Sequence, residues 1–532
     1  MSETNLSALP KTGLAGLKEN WRSDLLSGFL VFLIAMPLCL GISLASGFPP
    51  SAGIITAIIG GLLVSRLSGS FVTINGPAAG LIVVVLGAVQ SLGNGDNMVG
   101  YRYTLAAIVV ASAFQIIMGL LKAGRLSSFF PASVVHGMLA AIGIIIMTKQ
   151  IFAVVGSAPV KGSSLLSTMA QIPEGLMNMK PEIAIIGFSG LAILIAWSLI
   201  KNKTIKMIPA PLIVVVVGIA LGHYFNLSTV YPKLLVNISD DFSSGFFFPD
   251  FGKIATVEFW GAVLSICLVG SLETLLSAMA VDKLDPYKRH SNLNKDLTAV
   301  GVGNLLAGLV GGLPMIAEIV RSSANVTNGA KTGWANFFHG LFLLMFVALF
   351  PALIRSIPLA ALGALLVFTG FRLASPKEFG KVMGLGKEQM VMFVATIVGV
   401  IATDLLVGVA IGIVTKFIIH LLRGVKPGNL FKIDFAITPV SDNNVLIEIR
   451  GAAIFSNLLG LKDALMALEP GKTLVFQLND AYLLDHTMME FFHDFQHDYE
   501  AEGGHCQFVG MEYHETFADH PLAARRNKQN LA

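Results

Sequence analysis

Charged residues are scarce in this sequence. Asp, Glu, Lys and Arg together make up 13% of its 532 residues, whereas 54% are hydrophobic. Soluble domains carry roughly a quarter charged residues, so the shortage of charge excludes an ordinary soluble protein. We predict an α-helical polytopic membrane protein, with most of the chain inside the lipid bilayer.

Cysteine is also scarce. The three cysteines, Cys39, Cys267 and Cys506, are an odd number without metal-ligand spacing, so neither a disulfide framework nor a metal site is expected. The C-terminal tail has histidines that form no ligand pattern with cysteine, and we expect them on a solvated helix face: His486, His493, His497 and His514. No nucleophile–base pair is evident. We therefore expect no enzyme, no cofactor apart from a coupling ion, and no nucleic-acid partner.

Long apolar runs are abundant. About fourteen are long enough, or nearly so, to be transmembrane helices. They lie near residues 25–46, 51–68, 71–90, 103–121, 132–155, 182–200, 209–225, 256–281, 298–311, 313–328, 335–353, 357–371, 389–405 and 407–422. These runs predict an N-terminal segment over residues 1–24, a membrane domain over 25–424 and a separate tail domain over 435–524.

Positive charge is distributed unevenly between alternate loops. With a cytoplasmic N-terminus, roughly twenty Lys and Arg residues fall on the cytoplasmic side and about seven on the other, as the positive-inside rule expects. We therefore predict that both termini are cytoplasmic in a bacterial-type cytoplasmic membrane. Split near residue 255, the two halves hold about seven spans each, and an odd number gives them opposite orientations, as in the inverted repeats of secondary transporters.

Two apolar runs, the third and the tenth, are interrupted. Residues 311–323 read Gly-Gly-Leu-Pro-Met-Ile-Ala-Glu-Ile-Val-Arg-Ser-Ser, and residues 71–80 read Phe-Val-Thr-Ile-Asn-Gly-Pro-Ala-Ala-Gly. Each predicts a short extended piece followed by a half-helix, which lipid tolerates only where protein or a wet cavity covers it. Broken spans in corresponding halves indicate a transporter binding site.

The residues at these breaks suit an anion. Pro77 fits the first helical position of the third span, which would leave the amides of residues 78–80 free, and residues 319–322 would offer theirs from the other break. Two facing helix N-termini provide donors and partial positive charge. The alternative is a proline kink that only packs helices. Small side chains would let an oxyanion approach the backbone: Gly76, Ala78 and Ala79.

Ionisable residues accompany the breaks. Arg321 is the full positive charge there, and its structural alternative is an ion pair with Glu318, three residues earlier on one helix face. Glu273 lies within an apolar run, where carboxylates mark ion or proton pathways. Ser277 follows one turn later on the same face. Both a proton and a sodium ion are compatible with Glu273.

Six short motifs are distinctive in combination. They are Met36-Pro37-Leu38, Ser43-Leu44-Ala45-Ser46-Gly47, Asn75-Gly76-Pro77-Ala78, Ser271-Leu272-Glu273-Thr274-Leu275-Leu276-Ser277-Ala278, Arg321-Ser322-Ser323-Ala324-Asn325 and Gly329-Ala330-Lys331-Thr332. Together they resemble the sulfate permease (SulP) family of inorganic anion transporters, over nearly the whole chain. The resemblance implies a 14-span seven-plus-seven inverted repeat with core and gate domains, an anion held between the third and tenth spans, elevator-type movement and a homodimer.

The residue patterns and the resemblance together predict the site. The expected substrate contacts are Asn75, Gly76, Ala78, Ala79, Ser277, Ile319, Val320, Arg321 and Ser322. The expected ion-coupling residues are Glu273, Ser277 and Glu318. Glu318 departs from the small or polar residue that the resemblance leads us to expect beside this break, and it offers a group that could neutralise Arg321, bind a cation or carry a proton.

After Gly424 the sequence takes on the character of a soluble domain. Residues 444–450, 473–478 and 506–510 predict strands, and residues 458–468 and 487–502 predict helices. This small α/β unit resembles the STAS domain of the same family. Asp485-His486-Thr487-Met488 falls where bacterial anti-anti-sigma STAS proteins carry a phosphorylatable serine, which His486 replaces. A scaffold, dimer or trafficking role is therefore expected.

The predicted function is secondary active transport of sulfate or bicarbonate, coupled to protons or sodium. Related bacterial members carry sulfate, bicarbonate, chloride or small dicarboxylates. A nucleobase permease of the uracil/xanthine family shares the fold, but Arg321 and the absence of a base-stacking aromatic beside Glu273 argue against it. An anion channel and a membrane-tethered sensor are further alternatives, which substrate saturation and net flux would distinguish.

Overall fold

A computed structural model of the chain describes residues 9–125, 130–158, 165–202, 205, 207–238 and 245–528. Within these ranges every predicted apolar run is largely helical. The helices that carry these runs are α1 Gly13–Ala45, α2 Pro50–Ile59, α3 Ile82–Gly93, α4 Asn97–Leu120, α5 Ala132–Val155, α6 Pro181–Leu199, α7 Ala210–Tyr224, α8 Val257–Leu284, α9 Leu293–Val310, α10 Ile319–Thr327, α11 Trp334–Leu349, α12 Leu359–Leu373, α13 Lys387–Ala402 and α14 Leu405–Leu422. In the described ranges, eight helical segments are long and apolar enough to cross a membrane, and three shorter ones are apolar. The count of fourteen spans stays a prediction.

Both predicted breaks are present. Strand β1 (Asn75–Pro77) is followed by a 3₁₀ turn (Ala79–Leu81) and then by α3, and strand β2 (Met315–Ala317) is followed by α10. The two strands pair antiparallel, with Gly76 opposite Ile316 at the centre. Residues from the two halves of the chain thus satisfy one another's backbone groups, as the interior of a bilayer requires.

The predicted position of Pro77 at the start of a helix is wrong. Pro77 ends β1 opposite Met315, and Ala78 is the N-cap, with extended backbone angles (φ −122°, ψ 150°). The φ angle of proline fits a strand as well as a helix start, and a two-stranded ribbon leaves an edge where its missing N–H costs nothing. The pairing with β2 places Pro77 in the strand rather than at the helix start.

Close helix packing holds the ribbon in place. Helix α2 continues into a π-helical turn, Gly60–Val64, an element that is often found at functional sites. A Cβ on Gly60 would lie 2.4 Å from the carbonyl oxygen of Asn75, and one on Gly61 would lie 2.5 Å from the Cα of Gly340 in α11. Only glycine at these positions lets α2 lie against both β1 and α11.

The chain divides into two compact units. The first contains residues up to 124 and residues 142–372, and includes both strands of the ribbon. Its interior is a continuous apolar core built from α1, α2, α6, α7, α11 and α12, with fully buried members such as Leu40, Ile54 and Ala361. The site residues named above all belong to this unit.

The second unit contains residues 125–141 and those from 373 onward, so the tail groups with α13, α14 and the beginning of α5. The sequence-based division at residues 1–24, 25–424 and 435–524 stays a prediction, and residues 1–8 lie outside the described ranges. The tail's predicted elements are confirmed as β4 Asn444–Ala453, helix α15 Leu458–Met466, β5 Thr473–Gln477, helix α16 His486–Ala501 and β7 His505–Val509.

The tail sheet is larger than the sequence suggested. Its additional strands are β3 Asp434–Ser441, β6 Ala481–Leu484, β8 His514–Thr516 and β9 Arg525–Asn527. Along the sheet the order is β7-β5-β4-β6-β9-β8, with β3 forming an antiparallel hairpin with β4. Strands β4, β5, β6 and β7 pair in parallel, as expected for an α/β domain. Phe476, Phe492 and Phe508 form its aromatic core, with ring centroids 4.9–5.4 Å apart.

Two tail histidines are buried, so the prediction of a solvated face is wrong for them. His486 is 4% exposed and its Nδ1 lies 2.7 Å from the carbonyl oxygen of Leu522. His514 is 7% exposed and its ring nitrogens contact two backbone carbonyls. Within the described residues, no group of three or more His, Cys, Asp or Glu side chains is arranged to hold a metal.

Candidate functional site in the paired breaks

The ribbon brings two helix N-termini together. Helix α3 follows the end of β1 and α10 follows the end of β2, and the strands run in opposite directions. Because the strands are antiparallel, Pro77 at the end of β1 and Ala317 at the end of β2 lie at opposite ends of the ribbon, roughly 7 Å apart at about 3.4 Å per residue. The first amides of each helix have no intrahelical acceptor, so this short ribbon carries hydrogen-bond donors at both ends.

Arg321 crosses from one break to the other. It lies in the first turn of α10, is 1% exposed, and donates from Nη2 to the carbonyl oxygen of Pro77 at 2.9 Å. Its Nη1 lies so close to Gly76 that a Cβ there would be 2.7 Å away. Among the described residues, Nε and Nη1 meet no nitrogen or oxygen acceptor, and the polar group beside the guanidinium is the buried thiol of Cys39 in α1. Buried guanidinium donors without an acceptor are costly, and an anion is the acceptor that they fit best.

The alternative role predicted for Arg321, an ion pair with Glu318, is wrong. The carboxylate of Glu318 instead accepts from the backbone N–H of Arg321 at 2.7 Å, and Glu318 is the N-cap of α10. In the described part of the chain, no side-chain ion pair joins the two residues. The guanidinium is directed toward β1 and the carboxylate toward the end of its own helix, so the two groups remain separate.

Glu273 approaches from helix α8. Its side chain is 6% exposed and its Oε1 has no hydrogen-bond partner. The carboxylate lies against Gly80, in the turn before α3, where a Cβ would be 2.0 Å from Oε1 and 2.2 Å from Oε2. Ser277, one turn further along α8, is half-buried. The structure thus brings the predicted ion-coupling carboxylate to the first helix N-terminus.

The remaining predicted contact residues differ in exposure and in whether their hydrogen-bond donors are already used. Ile319 is 42% exposed and Val320 is half-buried, so the start of α10 is accessible. Ala78 is buried and Ala79 half-buried. The hydroxyl of Ser322 donates to the carbonyl of Glu318, and its amide also bonds to that oxygen, at 3.0 Å. Ser322 therefore holds the helix start and keeps no donor for a ligand.

Asn75 is likewise engaged in holding the ribbon. Its Oδ1 accepts from Nδ2 of Asn336 in α11 at 3.1 Å, whereas its own Nδ2 has no partner. Asn336 also donates to the carbonyl of Gly60, at 3.4 Å. This pair of amides attaches β1 to α2 and α11, and Asn75 keeps one donor unused.

Hydrogen bonds from buried side-chain amides support the site. The sequence analysis did not single out these residues. Asn304 in α9 bonds both backbone groups of Met315, accepting at 2.6 Å and donating at 3.1 Å. It also donates to Gln115 in α4 at 2.9 Å, and Gln115 donates to Ser271 in α8 at 3.3 Å. Strand β2 and the helix that carries Glu273 are thereby linked. The sequence signal that could have identified these residues is that each is an isolated polar residue in an apolar span.

A second such link fixes the far side of α10. Asn325 donates from Nδ2 to the carbonyl of Val72 at 2.8 Å, and its Oδ1 accepts from Ser27 in α1 at 2.7 Å. All three residues are fully or nearly fully buried. The segment before β1, helix α10 and helix α1 therefore form one hydrogen-bonded assembly behind the helix N-termini.

This fold and these paired breaks define a helical membrane transporter. The structure is similar to the transmembrane domain of a cyanobacterial bicarbonate transporter, BicA, with a TM-score of 0.64 and 23% identity, covering 74% of this chain and 97% of that one. It is also similar to murine Solute Carrier 26 family member A9, an anion transporter solved in the inward-facing state, with a TM-score of 0.69 and 16% identity, covering 94% and 87%.

The sequence comparison assigns the family. The profile of the sulfate permease family matches residues 21–396, and the chain belongs to that family. YvdB of Bacillus subtilis, whose name assigns it provisionally to sulfate transport, is 25% identical over 506 residues, covering 93% of this chain and 92% of YvdB. The bicarbonate transporter BicA of Picosynechococcus is 24% identical over 436 residues, covering 80% and 74%. The predicted family is confirmed: the chain is a membrane transporter of inorganic anions and not an enzyme.

Proposed function

We propose that this protein is a secondary active transporter of a small inorganic oxyanion, sulfate or bicarbonate, bound at the paired breaks. The observation that carries the proposal is the buried guanidinium of Arg321, whose Nε and Nη1 have no partner beside the accessible start of α10. Free amides at Ile319 and Val320 add donors to the same place. The names of the relatives, which specify sulfate and bicarbonate, support these two substrates.

The charges at the site support coupling to a cation. Arg321 brings one positive charge, and the ionised forms of Glu273 and Glu318 bring two negative charges. Each helix N-terminus adds about half a positive charge, so the total is about zero before substrate arrives. An anion therefore leaves the site negative in a poorly solvated region, and a sodium ion or a proton restores the balance. Glu273, with Oε1 unpartnered and Ser277 one turn away, is the proposed position for that cation.

The remaining parts of the proposal concern movement and assembly. We propose elevator-type alternating access, in which the assembly of breaks, α8 and α10 moves as one body, because the buried amides of Asn304, Gln115 and Asn325 tie these elements together. We also propose a homodimer in a bacterial-type cytoplasmic membrane with both termini cytoplasmic. The lysine- and arginine-rich alternate loops support that orientation.

Uptake into proteoliposomes tests the proposal. The purified full chain is reconstituted, and uptake of labelled sulfate or bicarbonate is measured with an imposed sodium gradient, an imposed proton gradient, or neither. We expect saturable uptake that one of the two gradients drives above equilibrium. Flux that never saturates and follows only the membrane potential would indicate a channel. Binding without net flux would indicate a sensor, and either result would overturn the proposal.

A further inference from the structure

The start of helix α10 already holds an oxyanion. Glu318 is its N-cap, and the side-chain carboxylate folds back to accept from the amide of Arg321 at 2.7 Å. The residues that usually cap helices in this way are Asn, Asp, Ser and Thr, whose short side chains reach the amide directly. A glutamate here places a full negative charge, on a flexible side chain, at the point where an incoming anion would find its donors.

This carboxylate is not locked in place by an ion pair. It makes no side-chain bond to Arg321, whose Nη2 is directed to Pro77 and whose Nε and Nη1 are unpartnered. The residue is half-buried and follows a strand that is fully buried. Over the ranges that the structure describes, the hydrogen bond to the Glu318 carboxylate comes from the amide of Arg321, so its release breaks one bond, whereas the ribbon behind it is paired on both strands.

The charged surroundings make its presence costly once substrate is bound. Glu273 in α8 lies within electrostatic reach of Glu318, and the buried thiol of Cys39 in α1 lies beside the guanidinium of Arg321. His339 in α11, also within electrostatic reach of that guanidinium, is fully buried and neither ring nitrogen has a partner. A second anion among these groups faces two carboxylates and one guanidinium.

We propose that Glu318 is a tethered competitor of the substrate: its carboxylate occupies the amino end of α10 in the empty transporter, and it takes up a proton and withdraws when an anion binds. This inference rests on the proposed function. The proton comes from the aqueous phase, adds to the Glu318 carboxylate, and returns when the anion leaves, so the site changes by one negative and one positive charge together. This proton alone balances a monovalent oxyanion, whereas a dianion such as sulfate is balanced by the proton together with the cation proposed at Glu273.

Anion binding to the purified full chain in lipid nanodiscs tests this. Sulfate and nitrate are used as probes, because both stay ionised between about pH 6 and about pH 8, and affinity is measured calorimetrically at several pH values. For the wild type we expect affinity to fall as pH rises, approaching about tenfold per pH unit where one proton is taken up per anion. An unbuffered sample should also take up protons when nitrate is added.

The informative variant is Glu318→Gln, whose side-chain oxygen accepts the same bond from Arg321 without a charge. We expect it to bind both anions at least about tenfold more tightly than the wild type near pH 8 and to lose most of the pH dependence. The matched control is Asp96→Asn, which neutralises the exposed N-cap carboxylate of α4 and should behave as the wild type.

The outcomes separate the inference from the function on which it rests. If Glu318→Gln keeps the wild-type affinity and pH slope, the inference fails while anion transport stands. If the slope disappears in Glu273→Gln and persists in Glu318→Gln, the proton belongs to Glu273 and the inference also fails. If no form of the protein binds either anion or transports one, the proposed function fails and the inference with it.

Discussion

The carboxylate of Glu273 and the backbone of Gly80 are in direct contact, although they lie 193 positions apart, on helix α8 and in the turn before α3. A methyl group at Gly80 would be 2.0 Å from Oε1 and 2.4 Å from Cδ of that carboxylate. Real Cβ atoms do not approach oxygen so closely. Glycine at this position therefore permits the proposed cation site.

The first prediction concerns this contact. Gly80→Ala should displace the Glu273 carboxylate and lower gradient-driven uptake by at least about tenfold, because a small displacement of a coupling group is expensive. Gly87→Ala is the control in helix α3, which follows this turn, since a Cβ there meets nothing within 4 Å. It should be neutral or stabilising by about 0.4–1 kcal/mol. Equal uptake by the two variants would contradict the proposed position of the cation.

The second prediction concerns the charge of Glu273 itself. Glu273→Gln keeps the size of the side chain and removes its charge, so uptake should no longer exceed equilibrium under a sodium or proton gradient, while exchange of labelled for unlabelled anion persists. Both are measured in the same proteoliposomes. Unchanged gradient-driven accumulation would show that the coupling ion binds elsewhere.

The third prediction concerns Arg321. Arg321→Ala removes the unpartnered donors and the bond to the Pro77 carbonyl, and should weaken anion binding by at least about a hundredfold, about 2.8 kcal/mol. Arg321→Lys retains the charge but not the planar donor array, and its anion affinity should lie between those of the wild type and Arg321→Ala. Binding calorimetry provides both values. An unaltered affinity in Arg321→Ala would exclude this residue from the anion site.

The fourth prediction concerns a buried ion pair at the end of α14, within the second unit. The Nζ of Lys416 lies 2.9 Å from Oδ2 of Asp485 and 3.0 Å from Oγ1 of Thr487, and His420 lies 3.5 Å from the same carboxylate. Lys416 and Asp485 are each at most 2% exposed. Lys416→Met leaves the carboxylate buried without its cation, which should destabilise this unit by about 3–5 kcal/mol.

The controls for Lys416→Met use thermal unfolding of the full chain. Lys472→Met breaks an exposed pair with Glu469, at 2.8 Å, and should leave the unfolding temperature unchanged. The double variant Lys416→Met with Asp485→Asn removes both charges and should recover much of the loss. Failure of the double variant to recover any stability would mean that Lys416 acts through packing alone, for instance against the ring of Phe455, 4.2 Å away.

The same cluster predicts a pH dependence. Burial by itself would raise the pKa of Asp485, but Lys416 and His420 outweigh it and hold the pKa of this carboxyl well below its usual range. Because the folded-state pKa is depressed, the stabilisation is complete above the unfolded value of about 3.9 and declines as pH falls below it. The stability difference between wild type and Asp485→Asn should be constant from about pH 8 to about pH 5 and should shrink in stronger acid.

Much of the fold could be predicted from the sequence, because apolar runs and the Gly/Pro interruptions report local structure. The two breaks, the half-helices and the main tail elements are confirmed on that basis. The pairing of β1 with β2 could not be predicted, since three-residue strands from distant segments carry no register signal. It is this pairing that extends Pro77 and so corrects its predicted helical position.

At the two breaks, the sequence indicates the charged residues more readily than it indicates their contacts. Arg321, Glu273 and Glu318 stand out as charges in apolar surroundings. Which partner each one takes depends on side-chain direction, and the sequence-based ion pair of Arg321 with Glu318 is replaced by a bond to Pro77 and a helix cap. The supporting amides, such as Asn304, are single residues among many and become informative only once their distances are known.

The three-residue ribbon also has a consequence for how the chain is made. Strand β1 is synthesised some 240 positions before β2, and until β2 is made the backbone N–H and C=O groups of β1 lack the strand with which they pair. Residues 1–255 produced alone would therefore lack a completed site, and mixing the two halves as separate polypeptides should restore transport only if the strands meet within the same membrane.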